Sequence, residues 1–122
     1  MMNNVLNIGL IGSGFMGQAH ADAFLRAGLL YRDLPLKPVL HTLADTNDEI
    51  AAAAAQQFGF ANSTGDWRAL LTNPDIDLVD ITTPNAMHFG MAMAVIDAGK
   101  HVYCEKPLTV TLEDARKLAE AA

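Results

Sequence analysis

At 122 residues the chain suits one domain, and 51% hydrophobic against 18% charged residues is enough for a core without metal or disulfide staples. The net charge of −6 excludes the basic footprint that nucleic acid demands, and the single cysteine, Cys104, excludes an internal disulfide and argues against a zinc cluster. The opening MMNNVLN has no basic start or signal-length apolar run, and nothing along the chain approaches the roughly 18 apolar residues of a membrane span, so a cytoplasmic protein is expected.

Val5–Ile11 is short, apolar and ends in glycines, the signature of a buried parallel strand. Phe15–Ala27 has helical spacing, with Gly28 placed to cap it. Residues 29–37 read as a surface loop, and Pro38–Ala44 as the second strand. Thr46 and Glu49 make the T-x-x-E pattern of a capping box ahead of the alanine run 51–55, and Gly59 closes that helix. Phe60–Asn62 is a candidate short third strand. Asp66 is placed to cap a helix over Trp67–Thr72, which Pro74 terminates. Asp77–Thr82 is the fourth strand, Asn85–Ala98 a helix closed by Gly99, and His101–Cys104 the fifth strand. Thr111 is placed to cap a last helix.

Strands alternating with helices predict an α/β fold with a parallel sheet and right-handed crossovers. The expected order is the doubly wound 3-2-1-4-5 of a Rossmann domain, with residues 1–122 forming one domain.

The first strand runs into Gly12-Ser13-Gly14-Phe15-Met16-Gly17, which matches G-x-G-x-x-G. The first glycine allows the tight turn, the second lets a pyrophosphate approach the backbone, and the third lets the helix pack against the sheet. The helix N-terminus adds free N–H groups and the positive end of its dipole. The pattern alone is weak, but here it follows an apolar strand and opens a helix, the context it requires. Asp45 ends the second strand, where an acid accepts hydrogen bonds from the adenosine ribose. It would repel a 2′-phosphate, and the following Thr46-Asn47-Asp48-Glu49 offers no arginine to receive one. The expected cofactor is therefore NAD, with NADP second. A turn or capping aspartate is the competing reading of Asp45.

Two further segments fall at the carboxyl ends of strands, where doubly wound sheets bind ligands. Thr82-Thr83-Pro84-Asn85-Ala86-Met87-His88 follows strand four, and Glu105-Lys106-Pro107 follows strand five. With the glycine turn and His20, these T-P-N-x-x-H and E-K-P segments together resemble the Gfo/Idh/MocA family, the relatives of glucose–fructose oxidoreductase and inositol dehydrogenase. The resemblance covers essentially the whole chain. It implies an NAD(P)-binding domain whose family oxidises a sugar or polyol hydroxyl by hydride transfer, with a C-terminal domain completing the substrate site.

By that resemblance Lys106 stands beside the nicotinamide and the substrate hydroxyl as the candidate catalytic residue, and Pro107 follows a cis peptide. Glu105 contacts the nicotinamide ribose or simply pairs with Lys106. Thr83, Pro84 and Asn85 line the cofactor groove, although Asn85 is equally placed to cap the next helix. His88 faces the cleft or packs inside, and His20 reads as structural. Met87, Met91 and Met93 are expected to be helix surface and core.

Family enzymes are two to three times longer, so the C-terminal substrate domain is expected to be absent here and the domain inactive on its own. The high apolar fraction, with the fifth strand left as a sheet edge, predicts self-association. The alternative to an enzyme domain is a non-catalytic dinucleotide-binding or sensor module, for which Lys106 has no use.

Overall fold

The computed structural model describes residues 4–122; the expectation about the first residues falls partly on 1–3, outside the described part. Short apolar runs became strands and the segments between them helices. In chain order these are β1 (Val5–Ile11), α1 (Phe15–Leu30), β2 (Lys37–Ala44), α2 (Asp48–Phe58), β3 (Asn62–Thr64), α3 (Ala69–Thr72), β4 (Leu78–Ile81), a 3-10 turn over Asn85–Met87, α4 (His88–Asp97), β5 (His101–Cys104) and α5 (Leu112–Ala121). The strands form one sheet in the order β3-β2-β1-β4-β5, every pair parallel. This is the expected doubly wound order.

Helices cover both faces, giving two apolar layers. On one side Leu10, Leu40 and Leu43 meet Ala21 of α1 and Ala51, Ala54, Ala55 and Phe58 of α2. On the other, Ile11, Val79 and Ile81 meet Leu70, Met91, Ala92, Val95 and Leu118. Alanine at the α2 positions lets the helix lie close to the sheet, which explains the alanine run. Strict alternation along β2 would put Leu40 and Leu43 on opposite faces. The register slips by one at His41: Ile8 pairs with Leu40 but Gly9 with Thr42. That extra residue returns Leu43 to the face of Leu40, which is what a bulge does in a half-apolar strand.

Several boundaries differ from the sequence expectation. Gly28 does not end α1. The helix runs to Leu30, and the Tyr31 N–H donates to the Ala27 carbonyl at 2.9 Å. One interior glycine costs only about 1 kcal/mol against alanine, too little by itself to end a helix. Thr46 is not the cap of α2, and its own N–H is held by Asp45 Oδ1 at 2.6 Å. The helix starts one residue later, with Asn47 Oδ1 accepting the Ile50 N–H at 2.8 Å. Phe60 is buried in the layer under α2 and does not pair, so β3 begins at Asn62, opposite Thr42. Asp66 Oδ1 accepts the Arg68 N–H, and the helix after it shrinks to Ala69–Thr72. Gly59 and Gly99 follow α2 and α4 in the left-handed region, and Thr111 Oγ1 caps α5 through the Asp114 N–H at 3.1 Å, all as expected.

Candidate functional site

The turn after β1 is built around backbone proximity. Gly12 has φ +102°, and a Cβ there would stand 2.9 Å from Thr82 Oγ1. The Thr82 hydroxyl is shared between the carbonyls of Ile11 and Gly12, at 2.9 and 3.0 Å, tying the turn to the end of β4. A Cβ on Gly17 would sit 2.1 Å from the Gly12 carbonyl oxygen, so α1 approaches the turn as closely as the missing side chain permits. Gly14 is different. It is the N-cap of α1 in extended conformation, no side chain caps the helix, and nothing lies within 4 Å of where its Cβ would be. The first-turn N–H groups and the helix dipole therefore face open space, the arrangement that receives an anionic group.

Beside this turn lies a cleft of about 410 Å³ whose lining includes Gly12, Ser13, Gly14, Asp45, Thr83 and Pro84, six of the residues singled out from the sequence. Asp45 Oδ2 accepts the Ser13 N–H at 3.0 Å and also the Ser13 hydroxyl. The acid at the end of β2 is thus oriented by the same turn that presents Gly14. Ile11, Thr46, Gly65, Trp67, Thr82, Met87 and Met91 complete the lining; Thr82 and Met87 belong to the segment after β4 already expected to face the cofactor, while Thr46, Gly65, Trp67 and Met91 went unrecognised as a wall. Gly65 is there because a Cβ would meet the Asp48 backbone nitrogen at 2.5 Å, and its N–H donates to Asp48 Oδ1 at 2.6 Å. Trp67 is flanked by the Arg68 guanidinium, 4.6 Å from the ring centre. The lone tryptophan just after Gly65 was the available signal. Phe15 and Met16 project outward at the start of α1, Phe15 being 84% exposed, and Gly17 serves the turn from behind.

The carboxyl ends of β4 and β5 carry a second arrangement, made of charged side chains. His20, one turn past Gly17 on α1, places Nδ1 2.7 Å from Asp80 Oδ2 and Nε2 2.8 Å from Glu105 Oε2. Asp80 lies within β4 with no exposed surface, and its Oδ1 has no partner among the described residues. Glu105 Oε1 accepts the Lys106 N–H at 2.9 Å. The Tyr103 ring stacks on His20 with centres 5.4 Å apart. The peptide between Lys106 and Pro107 is cis, as the family resemblance implied.

Burial pushes the Asp80 carboxyl up to about 6, against the pull of His20. Burial lowers the His20 imidazole, but the hydrogen bond and charge of Asp80, then those of Glu105, more than offset it and leave it above its ordinary 6.5. The Lys106 N–H first, and His20 next, hold Glu105 below the usual carboxylate range. Burial raises the Cys104 thiol to about 11, with Asp80 and Glu105 adding to it, so it is a protonated, inert neighbour. Neither His20 nor Asp80 stood out as a site residue in the sequence. The available signal was a carboxylate inside an otherwise apolar strand.

His88 does not open onto the cleft. It is 1% exposed, with Nδ1 2.9 Å from the Pro107 carbonyl and Nε2 2.8 Å from the Thr83 carbonyl. It braces the loop after β4 against the loop after β5. Asn85 does not cap α4, because a 3-10 turn intervenes; its Oδ1 is buried without a partner among the described residues. Lys106 is exposed, and no ion pair involves its ammonium among the described residues.

A parallel sheet in this order, with a glycine turn aimed at open space and an acid at the end of the next strand, defines a dinucleotide-binding Rossmann domain. The chain belongs to the Gfo/Idh/MocA oxidoreductase family: the family model for the NAD-binding Rossmann fold matches residues 6–122. Levoglucosan dehydrogenase of Pseudarthrobacter phenanthrenivorans is 48% identical over 116 residues, which are 95% of this chain and 30% of that protein. An NAD-binding oxidoreductase from Klebsiella pneumoniae superimposes with a TM-score of 0.96 at 56% identity, over 98% of this chain and 32% of the other. Levoglucosan dehydrogenase in complex with NADH gives 0.93 at 48% identity, over 96% of this chain and 32% of the other. The chain therefore spans about a third of the length of these relatives. Among the described residues no helix is long and apolar enough to cross a membrane.

Proposed function

We propose that this chain is the cofactor-binding part of a dehydrogenase that moves a hydride between a sugar or polyol hydroxyl and the nicotinamide of NAD. The observation that carries the proposal is the unobstructed Gly14 at the α1 N-terminus, facing a cleft that also presents Asp45. The residues fit the cofactor. Gly12, Ser13, Gly14 and the first-turn N–H groups hold the pyrophosphate, and a Cβ on Gly14 would project into that space. Asp45 accepts from the adenosine ribose; this requires Ser13 to share the carboxylate. Thr83, Pro84 and Asn85 border the path toward Glu105, which accepts from the second ribose. The nicotinamide, when bound, supplies the hydride acceptor or donor. Lys106 then orients the substrate hydroxyl and stabilises developing negative charge on its oxygen.

NAD is favoured over NADP because an acid at position 45 would repel a 2′-phosphate and Thr46-Asn47-Asp48-Glu49 supplies no cation to receive one. Calorimetric titration with NADH and with NADPH tests this reading: saturable NADH binding, with NADPH weaker, is expected. A folded chain that binds neither would overturn it. Asp45→Ala should weaken NADH by about 1–3 kcal/mol, the range for hydrogen bonds to a charged group, and narrow the gap to NADPH.

A reducing, cytoplasmic setting fits one protonated cysteine. Tyr103 on the edge strand β5, with Leu108, Val110 and Leu112 beyond it, exposes apolar surface, which favours self-association of this chain at high concentration. A concentration-independent monomer by analytical ultracentrifugation would contradict that.

A further inference from the structure

We propose that His20 is a positioning residue: donating from both ring nitrogens, to Asp80 on one side and Glu105 on the other, it fixes the Glu105 carboxylate for the nicotinamide half of the dinucleotide. The proposal rests on the cofactor reading above.

Three elements distant in sequence meet at His20: α1 supplies the imidazole, β4 supplies Asp80, and the loop after β5 supplies Glu105. Both contacts, 2.7 and 2.8 Å, are in the range of charge-assisted hydrogen bonds. A carboxylate accepts only, so two carboxylate partners require two N–H donors, and the ring is an imidazolium. Asp80 has no other side-chain use. It is wholly buried, and among the described residues its carboxylate bonds only to His20, with its second oxygen left without a partner. A carboxylate inside a sheet is poor value as a stabilising device, because desolvation competes with the attraction between the charges. Its consequence is orientational: it sets the tilt of His20 and favours the protonated ring, as a carboxylate does behind other functional histidines. Tyr103 stacked on the ring removes the remaining rotational freedom.

The effect is transmitted through Glu105. A glutamate on a loop has three side-chain torsions, and here both oxygens are tied, Oε2 to His20 and Oε1 to the Lys106 N–H. Each oxygen keeps a lone pair for a ribose hydroxyl, in a fixed position. The same bond holds the Lys106 backbone, so the chain Asp80–His20–Glu105–Lys106 sets the loop as one unit. Without the imidazolium, Asp80 and Glu105 would be two unscreened carboxylates, and Glu105 would swing away. The titratable groups that face His20 are Asp80 from β4, Tyr103 from β5 and Glu105 beyond it; Lys106 acts on it through Glu105, and the Cys104 thiol stays protonated beside the two acids.

The test compares NADH with ADP, which carries only the adenosine and pyrophosphate part. Affinities are measured by calorimetry for wild type and His20→Gln, from pH 6 to pH 9. In wild type the NADH-to-ADP affinity ratio should fall as the pH rises through the His20 titration. In His20→Gln it should be lowered about tenfold and flat with pH, with ADP binding unchanged. An unchanged ratio in a folded His20→Gln overturns the proposal while leaving the cofactor reading intact. Failure of folded wild type to bind NADH overturns both. Nitrogen-15 spectra of the histidine rings in wild type provide a readout that needs no variant. In those spectra His20 should titrate above the ordinary 6.5, and a bare ring nitrogen below that pH would refute the double donation.

Discussion

The two ends of the cleft are built on opposite physical plans. At the carboxyl ends of β1 and β2 the site is made by leaving side chains out: Gly12, Gly14 and Gly17 bring backbone and helix terminus to the surface, and Asp45 is the lone charge. At the ends of β4 and β5 it is made by cross-linking side chains, with Asp80, His20, Glu105 and the Lys106 N–H bonded in series and His88 bracing the loops behind them. The first plan suits a group recognised by its charge and shape. The second suits a place where one carboxylate must stay still. A change in the first region acts through sterics, and one in the second through electrostatics and pH.

The sharpest break of this comparison is within the glycine turn. Gly17→Ala should destabilise the fold by about 2–3 kcal/mol, because its Cβ would overlap the Gly12 carbonyl oxygen and backbone must move. Gly14→Ala should cost no more than about 1 kcal/mol, as an N-cap change into open space, yet abolish measurable NADH binding. Urea denaturation and calorimetry on the two variants would separate a glycine the fold needs from one the ligand needs. Equal loss of stability in both would mean that the turn has no ligand-facing side.

A smaller effect is expected at the edge of the first region. Asn47→Ala removes the α2 cap and should cost about 1 kcal/mol, while Thr46→Ala should cost less, its hydroxyl not capping the helix. The reverse order in urea melts would restore Thr46 as the cap.

The smallest effect is the pH response of the second region. The His20 shift is upward, so its stabilisation is fully present below its ordinary 6.5 and is lost as the pH rises through its folded value. The Asp80 shift is also upward, to about 6, so its contribution declines as the pH climbs from its ordinary 3.8 toward 6. Glu105 has the opposite sign: its lowered value contributes above 4.5 and is lost on acidification. The Tm difference between wild type and His20→Gln should therefore shrink on going from pH 6 to pH 9. A gap that widened would reverse the assigned charge of His20.

How much of this could be read in advance depended on how local each cause was. Val5–Ile11 and His101–Cys104 were bounded correctly because apolar runs between turn residues report burial directly. The Thr46 capping box failed because Asn47, one residue downstream, supplies the cap, its Oδ1 accepting the Ile50 N–H. The shifted start of β3 reflects Phe60, whose hydrophobic side chain went into the layer under α2. In the site, Gly12, Ser13, Gly14 and Asp45 were legible since each acts through its own backbone or position at a strand end. Trp67 and Met91 reached the same wall from distant segments, with no motif to announce them.

The sequence by itself determined the alternation of strands and helices, and hence the parallel sheet and its glycine turn, because burial period, φ freedom and helix capping are local properties. Only the tertiary structure decided the bulge at His41, the inward turn of His88 and the meeting of His20 with Asp80 and Glu105. Those partners lie 60 and 85 residues from His20. The crossing of α1 over the ends of β4 and β5 sets their contact, and no period or motif along the chain encodes which side chains that crossing brings within hydrogen-bond distance.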